Sequence, residues 1–238
     1  MNNQIAIVGL SSILPGSNTT QGCWRNIIGK HDFIKEVPPS HFLIEDYYDP
    51  ALPEFTKIYC KNGAFLDDYP FDPMEYSIPP NTLRAIDTAQ LYGLVAAKKL
   101  LAGTKSVSEQ KVSKKDISII IGAAAGTEMV EQMAAKGQKP VWVKVLREHG
   151  LPESEVQEIA ENIIKEYPAW TENTFPGLLT NVIAGRIANR LDLGGTNYVV
   201  DAACASSLSA ISLATRELQA GTSDMVITGG VDAINTVL

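Results

Sequence analysis

Four short apolar runs rich in β-branched residues recur along this sequence, and they constrain its fold more than any other feature. Ile5–Val8 is closed by Gly9, Ile117–Ile121 by Gly122, and Met225–Thr228 by Gly229 and Gly230, while Asn197–Val200 runs into Asp201 and two alanines. Ile5–Val8 and Ile117–Ile121 lack polar alternation, so both predict strands buried on two faces. Helical patterns separate the runs. Asp87 is a good N-cap for a helix carrying Leu91, Leu94, Val95 and Leu101 at steps of three and four, with Gly103 as its stop. Pro152–Tyr167 places Glu153 and Glu155 at the positive end of the dipole and Val156, Ile159, Ala160, Ile163, Ile164 and Tyr167 on one face. Leu178–Leu191 repeats the spacing, with Arg186 and Arg190 near its C-terminal end and Gly194 and Gly195 as terminators. Ala205–Ala220 predicts a further helix. Strands alternating with helices predict a layered α/β domain.

Residues 32 to 80 interrupt this order. Segments such as VPPSHF, DYYDP, YPFDP and IPP predict repeated turns that wrap the core without long elements. No internal repeat or linker divides the chain. It ends at Asn235–Leu238 just after a strand and its turn, which points to a truncated module.

Composition excludes several classes. A chain of 238 residues, 45% hydrophobic and 20% charged, can bury a sizeable core. The net charge of −7 opposes nonspecific attraction to nucleic acid, which needs clustered cations. Lys111, Lys114 and Lys115 read as a solvated face. No segment is apolar enough to span a bilayer: Val199–Thr215 is interrupted by Asp201 and rich in Ala and Ser. The opening MNNQIAIVGL lacks the basic region and cleavage site of a signal peptide, so a cytoplasmic location is expected. GLSSILPG after the first run lacks the G-x-G-x-x-G spacing and a following ribose-binding acid, which argues against a dinucleotide site. Cys23, Cys60 and Cys204 are too scattered for a disulfide framework, and no C-x-x-C pair indicates zinc.

Of the three thiols, Cys204 has the most informative context. In Tyr198–Ser212, YVVDAACASSLSAIS, a strand passes through two alanines into a cysteine that starts a helix. This is the thiol counterpart of a nucleophile elbow, with the reactive atom exposed at a helix N-terminus. Free N–H groups and the helix dipole there favour negative charge on sulfur. They can also receive the oxyanion formed when a thioester is attacked, worth about 3 kcal/mol per donor. Ala205–Thr215 carries no formal charge, which predicts a helix buried all round. On spacing alone, a small core hydrophobe and an activated nucleophile remain equally compatible with Cys204. Cys23 and Cys60 have no such context and read as structural.

The segment DAACASSLSAI resembles the active-site signature of β-ketoacyl synthases, and NVIAGRIANRLDLGGTNYVVDAACASS resembles their longer signature. IAIVGLSSILPGSNT is similar to the opening of ketosynthase modules in polyketide and fatty-acid megasynthases, and MVITGGVDA to the strand after the nucleophile helix. YPFDPMEYSIPPNTLRAIDTAQLYGLVAAKKLL and YPAWTENTFPGLLTNVIAGRIANR look most like the ketosynthases of polyunsaturated fatty acid synthases and iterative type I polyketide synthases.

The resemblance implies a thiolase-like layered fold, α-β-α-β-α in the complete enzyme, with residues 1–238 as its N-terminal half. It implies that Cys204 takes an acyl chain from a phosphopantetheine arm and that malonyl on an acyl carrier protein is decarboxylated and condensed onto it. The Cys204 N–H is then an oxyanion donor. No cofactor or metal is bound directly, and the phosphopantetheine belongs to the carrier. A homodimer and downstream domains of a multidomain synthase are the implied partners. The family's two histidines, in H-G-T-G-T and G-H motifs, have no counterpart in His31, His41 or His149. The chain alone is therefore expected to accept acyl groups without completing condensation. Asp201 is expected to serve as a structural hydrogen-bonding group. Gly229 and Gly230 are compatible with close approach of a ligand or with a tight turn. The alternatives are a noncatalytic scaffold or partner of a ketosynthase assembly, and a thiolase-type acyltransferase.

Overall fold

The run Ile117–Gly122 is buried at every position and forms the centre of the fold. The computed structural model describes residues 4–51, 56–109, 111–124 and 128–233. The described residues begin without regular secondary structure and then form helix α1 (Thr20–Gly29), capped by Thr19. A wrapping segment follows, holding the two-residue strand β1 (Lys35–Glu36), the single turn α2 (Ile44–Tyr47) and strand β2 (Asn62–Gly63), which pairs antiparallel with β1. Two 3₁₀ turns, Pro73–Tyr76 and Pro80–Ala85, complete the wrap and set Tyr76, Ile78 and Ile86 against Leu94 and Val95. This matches the proline pattern.

Those last two residues lie on α3 (Thr88–Gly103), which begins at the expected cap: Asp87 Oδ1 accepts the Ala89 N–H at 2.9 Å. The turn α4 (Lys105–Ser108) leads to strand β3 (Ile117–Gly122). Helices α5 (Glu128–Lys136), α6 (Lys139–Glu148), α7 (Glu153–Lys165), α8 (Thr174–Leu178) and α9 (Val182–Leu191) follow. Then come strand β4 (Asn197–Val200), helix α10 (Ser206–Ala220) and strand β5 (Met225–Gly230).

β3 pairs in parallel with β4 on one side and β5 on the other. A central parallel strand must be covered on both faces, and its period-two alternation divides the cover. Ile117, Ile119 and Ile121 pack on Ala97 of α3 and Ile183, Ala184 and Ile187 of α9. Ile120 packs on Ala210 and Ala214 of α10. Full burial of each such isoleucine contributes about 1.5–3 kcal/mol. The result is the layered α/β arrangement expected from the alternating pattern.

Three expectations need correction. Ile5–Val8 is not a strand: no described backbone pairs with it, and Ile7 and Val8 are 81% and 55% exposed. A β-branched run has no ladder without a neighbour, whatever its propensity.

Leu178–Leu191 is not one helix. It breaks between α8 and α9, where buried Gln90 of α3 donates from Nε2 to the carbonyls of Pro176, Gly177 and Leu179 at 3.0, 3.0 and 3.3 Å. These bonds satisfy carbonyls that a continuous helix would use internally. α9 then ends at Asp192, left-handed at φ 57°, ahead of the glycines named as terminators. Gly195 instead permits close packing, since a Cβ there would stand 2.5 Å from the Ile117 carbonyl oxygen.

Finally, α10 is buried on one face only. Ser206, Ala210 and Ala214 are buried, whereas Leu208 and Ile211 are 71% and 46% exposed. The described chain supplies a sheet against one side of this helix and leaves the opposite side, which carries Leu208 and Ile211, open.

Candidate active site

All three parallel strands end on the same side of the sheet, at Gly122, Val200 and Gly230, which are neighbours in register. The carboxyl ends of parallel strands are the usual place for ligands in open α/β sheets. Pairing continues to this edge: the Ala123 N–H donates to the Val200 carbonyl at 3.2 Å and the Val231 N–H to the Gly122 carbonyl at 3.0 Å. Cys204 stands here, exposed, in a 3₁₀ turn (Ala203–Ala205) that links β4 to α10.

The turn is sharp. Ala203 has φ 49°, a left-handed conformation that costs a non-glycine residue about 1–2 kcal/mol. Side chains on both flanks offset that cost. Asp201 Oδ1 accepts the Ala203 N–H at 2.9 Å. Ser206, 5% exposed, donates from Oγ to the Ala203 carbonyl at 2.7 Å and accepts the Ala202 N–H at 2.9 Å. The Ala205 N–H donates to the Ala202 carbonyl at 3.0 Å. The Cys204 N–H has no acceptor among the described residues. A donor left free beside a thiol has the makings of an oxyanion site.

Glycines bring the helix onto the strand ends. A Cβ on Gly122 would stand 2.4 Å from the Ser206 carbonyl carbon, and one on Gly230 would stand 2.8 Å from the Ser207 Cβ. Gly230 thus serves close packing of α10, while a Cβ on Gly229 would meet nothing within 4 Å.

The other sequence candidates lie elsewhere. Cys23 is buried in α1 with its thiol 3.6 Å from the Ser17 carbonyl oxygen. Cys60 is exposed in the wrap, 3.4 Å from the Asn62 carbonyl oxygen. His41 meets the Phe65 ring edge-on at 4.6 Å, and His149 Nδ1 lies 2.9 Å from the Val145 carbonyl oxygen. No group of metal-ligating side chains occurs among the described residues, and none of their helices is long and apolar enough to cross a membrane.

A cleft of about 820 Å³, which Cys204 does not line, runs between α3, α5 and the end of α7. Its Glu128 carboxyl is raised above the ordinary value, first by burial and then by Asp87 and Glu131. Sequence reading missed Ser206 and the strained Ala203. The one available signal was a serine at the start of a helix, where such residues cap.

The family model for the β-ketoacyl synthase N-terminal domain matches residues 2–238. A polyunsaturated fatty acid synthase subunit of Thraustochytrium sp. is 35% identical over 239 residues, covering 100% of this chain and 8% of that protein. A mycocerosic acid synthase-like polyketide synthase of Mycolicibacterium smegmatis is 31% identical, covering 97% of this chain and 10% of that protein. The chain therefore spans a tenth or less of the length of these relatives. In fold, an oxazolomycin ketosynthase domain from Streptomyces albus JA3453 aligns with a TM-score of 0.69 at 23% identity, covering 96% of this chain and 34% of that one. The ketosynthase from module 6 of the Bacillus subtilis bacillaene synthase aligns with a TM-score of 0.66 at 24% identity, covering 98% and 32%. The layered α/β fold is thus thiolase-like, and this chain belongs to the β-ketoacyl synthase family.

Proposed function

We propose that this chain is the acyl-accepting part of a β-ketoacyl-acyl carrier protein synthase, with Cys204 as its nucleophile. The observation that carries the reading is the placement of Cys204: an exposed thiol on a strained turn at the carboxyl edge of the sheet, with its own N–H unpaired among the described residues. The Cys204 thiolate adds to the carbonyl of an acyl thioester, and the oxyanion faces the Cys204 N–H. Collapse breaks the carbon–sulfur bond to the phosphopantetheine of the carrier protein. That sulfur leaves as a thiol, taking up the proton that Cys204 gave up.

Malonyl on a carrier protein is then the second substrate. Its decarboxylation supplies the carbanion that attacks the Cys204 thioester, forming a carbon–carbon bond and releasing Cys204. The histidines of the H-G-T-G-T and G-H motifs would come from polypeptide outside residues 1–238, which we read as the N-terminal half of the ketosynthase unit. Identity of 35% to a protein of polyunsaturated fatty acid synthesis supports fatty-acid over modular polyketide chemistry. A homodimer, a carrier-protein partner, further domains of the same synthase and a cytoplasmic location complete the proposal.

Incubating the chain with an acyl thioester, followed by intact mass and peptide mapping, tests the first step. One acyl adduct on Cys204, lost in Cys204→Ala, is expected. Preferential labelling of Cys60 or Cys23 overturns the reading.

A further inference from the structure

We infer that Ser206 is a positioning residue for acyl transfer, acting through the backbone of Ala203 to aim the Cys204 thiol and N–H. The inference rests on Cys204 being the acyl acceptor.

The geometry isolates Ser206 from other tasks. It is buried, and among the described residues its hydroxyl bonds only to the turn that carries Cys204, donating to the Ala203 carbonyl at 2.7 Å and accepting from the Ala202 N–H at 2.9 Å. Asp201 holds the Ala203 N–H from the other flank. Both polar groups of the one left-handed residue in the turn are therefore held by side chains. Ser207 next to it differs: it packs by its Cβ near Gly230.

Ala203 directly precedes Cys204, so its ψ sets the plane of the peptide that contains the Cys204 N–H. The Ala203 carbonyl belongs to that same peptide unit. A hydroxyl that fixes this carbonyl fixes the N–H on the other side of the bond. Without Ser206 Oγ, Ala203 is free to relax toward the right-handed region and turn the N–H away from the attacked carbonyl.

Two reactions at one sulfur separate this role from support of the fold. Acylation by a thioester passes through an oxyanion and needs the N–H aligned, whereas alkylation by iodoacetamide displaces halide and does not. In Ser206→Ala, acylation of Cys204 is expected to slow by about tenfold or more, while alkylation changes by less than about threefold. Glycine adopts positive φ without the clasp. Ala203→Gly combined with Ser206→Ala should therefore acylate faster than Ser206→Ala alone.

Equal loss of both reactions in Ser206→Ala, unchanged acylation, or no recovery in the double variant overturns the inference. If Ser206→Ala fails to fold, the double variant decides: folding with acylation supports the role, and loss of either rejects it. Absence of any acyl adduct on Cys204 in the unaltered chain would instead reject the nucleophile assignment itself.

Discussion

Gly122 at the end of β3 lies so close to the first turn of α10 that a Cβ there would stand 2.4 Å from the Ser206 carbonyl carbon. The strand end and the first turn of α10 are in backbone contact, with no side chain to absorb an added methyl. Gly122→Ala gains about 0.5–1 kcal/mol from a less flexible unfolded chain, but overpacking costs about 1–3 kcal/mol. The net expectation is destabilisation with slower acylation of Cys204. Urea unfolding, paired with peptide mapping of the acyl adduct, checks both, and an unchanged midpoint would contradict the close approach.

Gln90 ties α3 to α9 through a buried amide. Its Oε1 accepts from Arg186 Nε at 2.9 Å, while Nε2 serves the carbonyls between α8 and α9. Burial first, and Arg190 second, lowers the Arg186 guanidinium from its ordinary value. Gln90→Leu keeps the volume and strands that cation and the carbonyls, so a loss of about 2–4 kcal/mol is expected in equilibrium unfolding. A loss below about 1 kcal/mol would mean that water replaces the amide.

Asp87 joins two helix N-termini. Oδ1 accepts the Ala89 N–H of α3 at 2.9 Å, and Oδ2 the Met129 N–H of α5 at 3.3 Å. Asp87→Ala is expected to cost about 1–2 kcal/mol, and Asp87→Asn less, because an amide oxygen can still cap α3. Amide hydrogen exchange should show faster opening of α5 in both variants.

Tyr76 gives a pH signature. Burial, followed by the nearby Glu75 and Tyr69, pushes its phenol up to about 12 from 10.0. The folded-state value lies above the unfolded one, so its contribution is intact below pH 10 and is lost as pH rises through about 12. Stability measured from pH 9 to 12 should fall, and Tyr76→Phe should flatten that fall while keeping the ring stacked on Phe71 at 4.9 Å. An equal fall in Tyr76→Phe would assign the alkaline loss to other groups.

Glu153 gives a local acid signature. Hydrogen bonding to Arg147, then to Gln157, holds its carboxyl down at about 2 from the ordinary 4.5. Its contribution is present above pH 4.5 and lost as pH falls through about 2. The pair is on the surface, so salt should weaken it. An NMR titration of Glu153 should move toward 4.5 in Arg147→Gln or at high salt.

Much of the fold was legible because its signals are local. Asp87 caps α3 and Ile117–Gly122 is the central strand, as cap chemistry and β-branching imply. Asn197–Val200 is a strand and α10 begins within two residues of Cys204, so the elbow could be read from the order of residue types. The clasp around it could not. Whether a serine hydroxyl turns inward to Ala203 or outward to water depends on the sheet edge that buries it.

The sequence by itself determined where Cys204 stands: after a strand, before a helix, in a turn of small residues. Tertiary structure alone decided how that position is held. Ile5–Val8 and Ile117–Ile121 carry the same β-branched signature, yet one is exposed and the other lies between two parallel neighbours, because a ladder needs a partner that no run can supply for itself. The same cause fixed the orientation of α10, buried through Ala210 and Ala214 and open at Leu208. It also brought Gly122 against Ser206, and so set the turn that presents the Cys204 thiol.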